Sequence, residues 1–335
     1  MSSEPTTQYQ PASGLRNRHV QSLMNALPPR KWRVQWSSRH WQAAAQRRII
    51  KCENGVQLLA EYNPPADQHS TKALMILVHG WKGCSRSTYM LALGSQLSAA
   101  GHPVLRLNLR DHGPSLHLNE ELFHSARLSD LTQALEAIAR ENEGRDMHMI
   151  GYSLGGNFAL RAASANPPES LKAVYAVCPL LDPAKTMQAL NQGWFVYRQH
   201  FTARWKAALL GKLDYFPELG YETDISKLQT LDDLNHYFIP RFTPYKELAD
   251  YFDAYRITGD RLDSLACRAH IIASEDDPII LSQDLDSLPQ HPLLKIERTQ
   301  YGGHCGFVQN WRFDCWIDQR MLQLIDQVSD KAAAN

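Results

Sequence analysis

Residues 151–155 read Gly151-Tyr152-Ser153-Leu154-Gly155, a serine held between two glycines at the spacing of a strand-to-helix turn that carries a nucleophile. A serine hydroxyl is nearly inert until a base takes its proton, so the chemistry needs a histidine whose pKa lies near the working pH. It also needs a carboxylate to hold that histidine's tautomer and stabilise the imidazolium. The context fits: an apolar stretch ends at Ile150 and helical spacing begins at Leu154. Small residues are required on both flanks of so tight a turn, because a Cβ there would meet neighbouring backbone. The following helix aims N–H groups and its positive dipole end at the same point. The plain alternative is a glycine-rich turn with an incidental serine.

The chain has 14 histidines, so presence alone selects none of them. His304 stands out because Tyr301-Gly302-Gly303-His304 follows the last strand-like segment, and two glycines let the loop bend toward the serine turn. His112 and His124 lie upstream of Ser153, out of the Ser-acid-His order, and are expected to be surface or loop residues. The acid should follow a strand between Ser153 and His304. Asp277, followed by Pro278 and the apolar pair Ile279-Ile280, fits best; Asp276 is a close competitor and Asp182 a distant one. An oxyanion would be held by the N–H of Leu154 and of Trp81, the latter in His79-Gly80-Trp81-Lys82-Gly83. His79 reads as a loop-fixing hydrogen bonder, and Cys84 and Cys305 as small packing residues.

These groups must be brought together by the elements around them. Segments 56–62, 73–78, 103–109, 147–150, 171–178, 268–274 and 293–298 read as strands. Helical spacing occupies 87–100, 122–140, 154–165 and 311–328. Their alternation predicts an α/β fold: a mostly parallel central sheet with helices on both faces. The rhythm breaks over residues 182–265, where aromatic-rich helical stretches predict a cap or lid insertion. Residues 1–13 read as a disordered tail, residues 14–335 as one domain, and residues 14–46 as a basic N-terminal layer with Trp32, Trp36 and Trp41. That layer either packs on the sheet edge or meets a membrane surface or a partner.

Basic and acidic residues balance at 35 each, so no long-range field would recruit nucleic acid. Apolar runs are too short for an integral membrane segment. The six cysteines form no C-x-x-C pair, so no metal site is expected. The start shows no secretory leader, and a cytoplasmic protein with free thiols is expected. Nothing in the residues calls for a cofactor.

At these motifs the chain resembles the YheT-like branch of the α/β-hydrolases, bacterial relatives of the animal ABHD-type esterases. The similarity spans about residues 14–316. It includes Asn17-Arg18-His19-Val20-Gln21-Ser22, His79-Gly80 with Gly83, Gly151-Tyr152-Ser153-Leu154-Gly155-Gly156-Asn157, Asp276-Asp277-Pro278, and Gly302-Gly303-His304-Cys305-Gly306-Phe307. The resemblance implies the α/β-hydrolase fold, a Ser153-Asp277-His304 triad and carboxylesterase-type activity on a small-molecule ester. The aromatic lid suggests an apolar acyl group. Relatives carry R-G-C-x-G-x-P where this chain reads Arg110-Asp111-His112-Gly113-Pro114, and Ala126 stands where they often have Gly, so substrate preference is expected to differ. Acyl transfer or thioester cleavage by the same triad is an alternative, as is a non-catalytic binding protein on this fold.

Overall fold

A computed structural model describes residues 9–333 apart from Ala26 and Asn54. Among these residues eight strands form one sheet: β1 (Gln46–Lys51), β2 (Gln57–Asn63), β3 (Leu74–Val78), β4 (Val104–Leu107), β5 (Met147–Tyr152), β6 (Leu171–Val177), β7 (Arg268–Ser274) and β8 (Leu294–Thr299). Their order is β1-β2-β4-β3-β5-β6-β7-β8. β1 pairs antiparallel with β2 and β2 with β4; every later neighbour is parallel. The central strands β3 and β5 are buried along their whole length, which is why they read as unbroken apolar runs rather than alternating ones.

The N-terminal layer is three short helices, α1 (Arg18–Met24), α2 (Pro28–Ser37) and α3 (Arg39–Ala43). α4 (Thr88–Ala99) covers one face of the sheet, meeting Met75 and Leu77; α5 (Ser129–Glu141) and α6 (Leu154–Ala163) cover the other, meeting Leu74, Ile76 and Val78. The odd and even residues of β3 thus feed two separate cores, as strand alternation requires. Between β6 and β7 run α7 (Pro183–Gln192), α8 (Phe195–Leu213), a 3-10 turn (Pro217–Leu219), α9 (Glu222–Ile225), α10 (Leu231–Phe242) and α11 (Leu248–Asp253). This segment has a small core of its own, with Leu209, Tyr221, Ile225, Leu234 and Phe238. α12 (Trp316–Ala333) packs beside α4. No described helix is long and apolar enough to cross a membrane.

Several sequence expectations shift. Of the expected disordered tail, residues 1–8 lie outside the described residues, but Tyr9 is buried and donates its hydroxyl to the Val308 carbonyl at 2.7 Å, while Ala12 N–H bonds the Gln309 carbonyl. The tyrosine ring supplies apolar area that a polar tail would lack, packing on Phe307 and Trp316. α5 starts at Ser129 rather than 122 because Phe123 N–H is taken by the Asp111 carboxylate and Ser125 N–H by the Tyr251 hydroxyl. α12 starts at Trp316 rather than 311 because Val308 and Cys315 pair as a β-bridge around a turn.

Candidate active site

Ser153 sits at the end of β5, immediately before α6, with φ 53° and ψ −116°. A non-glycine residue held there stores about 1–3 kcal/mol of strain, and its surroundings must enforce it. The flanking glycines explain how. A Cβ on Gly151 would collide with the Gly155 carbonyl, and one on Gly155 would collide with the carbonyls of Val78 and His79. The turn is therefore as tight as backbone contact allows, and Ser153 emerges at the C-terminal edge of the parallel strands, where open α/β sheets bind ligands.

The structure brings the three predicted side chains together. His304 Nε2 lies 2.9 Å from Ser153 Oγ, and His304 Nδ1 lies 2.8 Å from Asp277 Oδ2. The other oxygen of Asp277 accepts from the N–H groups of Ile279 and Ile280 at 2.8 and 2.9 Å, which fixes the carboxylate's orientation. With Asp277 accepting the Nδ1 proton, Nε2 is left free to accept from the serine hydroxyl. Burial alone would pull the His304 pKa down; the Asp277 charge and hydrogen bond outweigh it and hold the imidazole above its ordinary value.

The two competing acids are used elsewhere. Asp276 turns away and accepts the Gly303 N–H at 2.8 Å, bracing the histidine loop. Asp182 caps α7 through the Lys185 N–H at 3.2 Å, with Pro183 as the first helical residue. His112 and His124, expected to be surface or loop residues, lie in loops but are both buried. His112 packs edge-on against Phe123 and bonds the Arg110 carbonyl, while His124 accepts from the Arg127 guanidinium; burial keeps both imidazoles neutral.

The turn after β3 is pinned from inside. His79 is fully buried, and burial pushes its pKa down to about 4. Its Nε2 accepts the Leu109 N–H at 3.1 Å, so Nδ1 carries the proton and donates to the Gly80 carbonyl at 2.8 Å. The Gly80 N–H bonds the Tyr89 hydroxyl at 3.0 Å. Trp81 and Leu154 both line the cavity into which Ser153 and His304 open, about 530 Å³ in volume.

The least expected part of the site is α1. Ser22 Oγ accepts the His304 N–H at 2.8 Å. Gln21, fully buried, donates to the carbonyls of Leu15 and Val308 and accepts the Val308 N–H at 2.7 Å. Asn25 donates to the Cys305 carbonyl at 2.6 Å and accepts from Arg30. Asn17 caps the helix through the His19 and Val20 N–H groups. Glycines make the approach possible: a Cβ on Gly303 would strike the Arg18 carbonyl, and one on Gly306 the Gln21 carbonyl. The Asn-x-His-x-Gln-Ser pattern is visible in the sequence, but nothing there says it clamps a loop nearly 290 residues away. Asn157, in the first turns of α6, is a second missed residue; its side chain holds the carbonyls of Leu180 and Tyr255 at 2.9 and 2.7 Å.

Among the described residues, Cys178, His304 and Cys305 bring three potential metal-ligating atoms within 4.8 Å of one another. Both nitrogens of His304 are already engaged, and burial pushes the Cys305 thiol well up, so the sulfurs read as packing groups.

A mostly parallel sheet with a serine at such an elbow, a histidine after the last strand and a carboxylate after β7 defines a class. The chain belongs to the alpha/beta hydrolase fold family, whose model matches residues 73–310. Among curated proteins it is similar to Escherichia coli (strain K12) YheT, an esterase by name, at 25% identity over 94% of this chain and 92% of that protein. It is also 21% identical to a Saccharomyces cerevisiae monoacylglycerol lipase over 80% of this chain and 62% of the lipase. Among solved structures, a Pyrococcus furiosus esterase superposes with TM-score 0.57 at 16% identity, covering 85% of this chain and 90% of its own.

Proposed function

We propose that this protein hydrolyses esters, and more narrowly that it is a serine carboxylesterase working through an acyl-enzyme. The observation that carries the reading is the continuous hydrogen-bond chain Ser153–His304–Asp277, at 2.9 and 2.8 Å, on the wall of a cavity large enough for a small-molecule ester. Ser153 Oγ attacks the carbonyl carbon while His304 Nε2 takes its proton, and the Asp277 carboxylate stabilises the imidazolium. The Trp81 and Leu154 N–H groups receive the developing oxyanion, each worth about 3 kcal/mol in the transition state. His304 then returns the proton to the departing alkoxide, which leaves as the alcohol. Water, deprotonated by the same imidazole, attacks the acyl-serine and releases the acid. None of these steps uses a metal or organic cofactor.

The helical segment 182–265 would act as the lid. Phe201 and Trp205 of α8 and Phe238 of α10 face the cavity together with Trp81 and Phe123, a lining that favours an apolar acyl group. The names of the bacterial and yeast relatives agree with ester substrates. Free cysteines, five of the six buried, suit a reducing compartment, which supports a cytoplasmic location. Incubation with a fluorophosphonate probe tests the chemistry. The wild type should be labelled and Ser153→Ala should not; a folded wild type that resists labelling would remove the serine-hydrolase reading in favour of a binding protein.

A further inference from the structure

The cavity above Ser153 is lined by Lys31, Lys82, Arg86 and Arg204, and among the described residues no aspartate or glutamate lines it. Arg86 pairs with Glu61 at 2.7 Å, a carboxylate it shares with buried Arg106. Half-buried Lys82 has no ion-pair partner among the described residues, nor do the exposed Lys31 and Arg204, although the molecule pairs its sequestered charges elsewhere, as at Lys212–Asp111 and Arg110–Asp130. An ammonium left unpaired while half-buried beside apolar side chains is costly, and the missing counter-charge at Lys82 is expected to arrive with the ligand.

Two of these cations belong to, or are tied to, the loop that packs against the nucleophile. Gly80 lies against Ser153, since a Cβ on Gly80 would come within 3.2 Å of the serine Cβ, and Lys82 follows two residues later with φ 57°. Arg204, from α8, donates to the Lys82 carbonyl at 2.7 Å and so is held beside it. Burial pulls the Lys82 ammonium down to about 8; Asp111 offsets part of this and Arg204 adds to it. An incoming anion would relieve both the desolvation and the like-charge contact.

We propose that the cavity binds esters that carry an anionic group, a phosphate or a carboxylate, in addition to an apolar chain, with Lys82 and Arg204 holding the anion. This rests on Ser153 being the group that accepts the acyl chain, but it can be tested without turnover. Calorimetric titration of the Ser153→Ala protein with decyl phosphate, decanoate and decan-1-ol at low salt should show the anions binding at least about tenfold tighter than the alcohol. The preference should collapse in Lys82→Gln/Arg204→Gln and survive in Lys82→Arg, with each variant's fold checked by circular dichroism. Equal affinities, or a preference that persists in the double glutamine variant, would overturn the proposal.

Turnover by the wild type then locates the anion. A preference for 1-decanoylglycerol 3-phosphate over 1-decanoylglycerol places it on the alcohol side; a preference for monomethyl sebacate over methyl decanoate places it on the acyl side. Preference in neither pair contradicts the substrate class. Tight, lysine-dependent anion binding with no turnover of any ester would count against the esterase reading alone.

Discussion

At the residue scale the site depends on which of two adjacent carboxylates faces the imidazole. Asp277 bonds Nδ1 of His304, while Asp276 bonds the N–H of Gly303, one peptide away. Asp277→Asn should leave the geometry in place but favour the wrong tautomer, lowering kcat by about 10⁴. Asp276→Asn should cost far less, because it loosens a loop rather than misplacing a proton; steady-state kinetics on a p-nitrophenyl ester would compare them. The charge of Asp277 also sets the pH dependence. As the proposed base, His304 must be neutral, and its pKa is held above the ordinary 6.5, so kcat/KM should fall as the pH drops through a value above 6.5. Residual activity of Asp277→Asn should show that acid limb displaced to lower pH. An unmoved limb would mean that another group titrates there.

At the element scale, α1 turns a surface layer into part of the site. Gln21 makes three hydrogen bonds with buried backbone, so Gln21→Ala leaves those groups without partners and should lower stability by roughly 2–4 kcal/mol in a urea titration. Ser22→Ala is gentler: it removes the acceptor of the His304 N–H and should reduce kcat about tenfold with KM little changed. An equal fall in kcat/KM caused by KM alone would make Ser22 a substrate contact rather than a positioning residue. β3, β5 and β6 and the Ser153 elbow were legible because apolar period and glycine spacing are local signals. The clamp was not, because Gln21, Ser22 and Asn25 bind backbone groups of residues 304–308, and carbonyls and amides carry no residue type to recognise. Tyr9 was missed for a related reason: one aromatic in a polar, proline-containing stretch gives no period, yet its ring completes a core with Phe307 and Trp316.

At the scale of the whole molecule, the sheet supplies three rigid strand ends and the helices between β6 and β7 supply the wall opposite. The elbow rests on backbone contact with β3, the histidine loop on α1, and the acid on the end of β7, so the three groups converge without any one element holding two of them. That wall presents Phe201, Trp205 and Phe238 to the cavity beside polar groups such as Arg204, Asn235 and Thr186. Trimming it with Trp205→Ala should therefore change chain-length preference more than rate: kcat/KM for dodecanoate esters should fall relative to butyrate esters, by about tenfold if the ring contacts the chain. Uniform loss across chain lengths would instead indicate that Trp205 supports the fold of the segment.

In the proposed reaction Ser153 carries the acyl group during turnover. Protein quenched in acid while it hydrolyses p-nitrophenyl butyrate, then digested and mapped by mass spectrometry, would report this directly. The butyryl group should be found on the peptide containing Ser153, and only there. Sustained turnover with no adduct on that peptide, or with the acyl group on another side chain, would contradict the account.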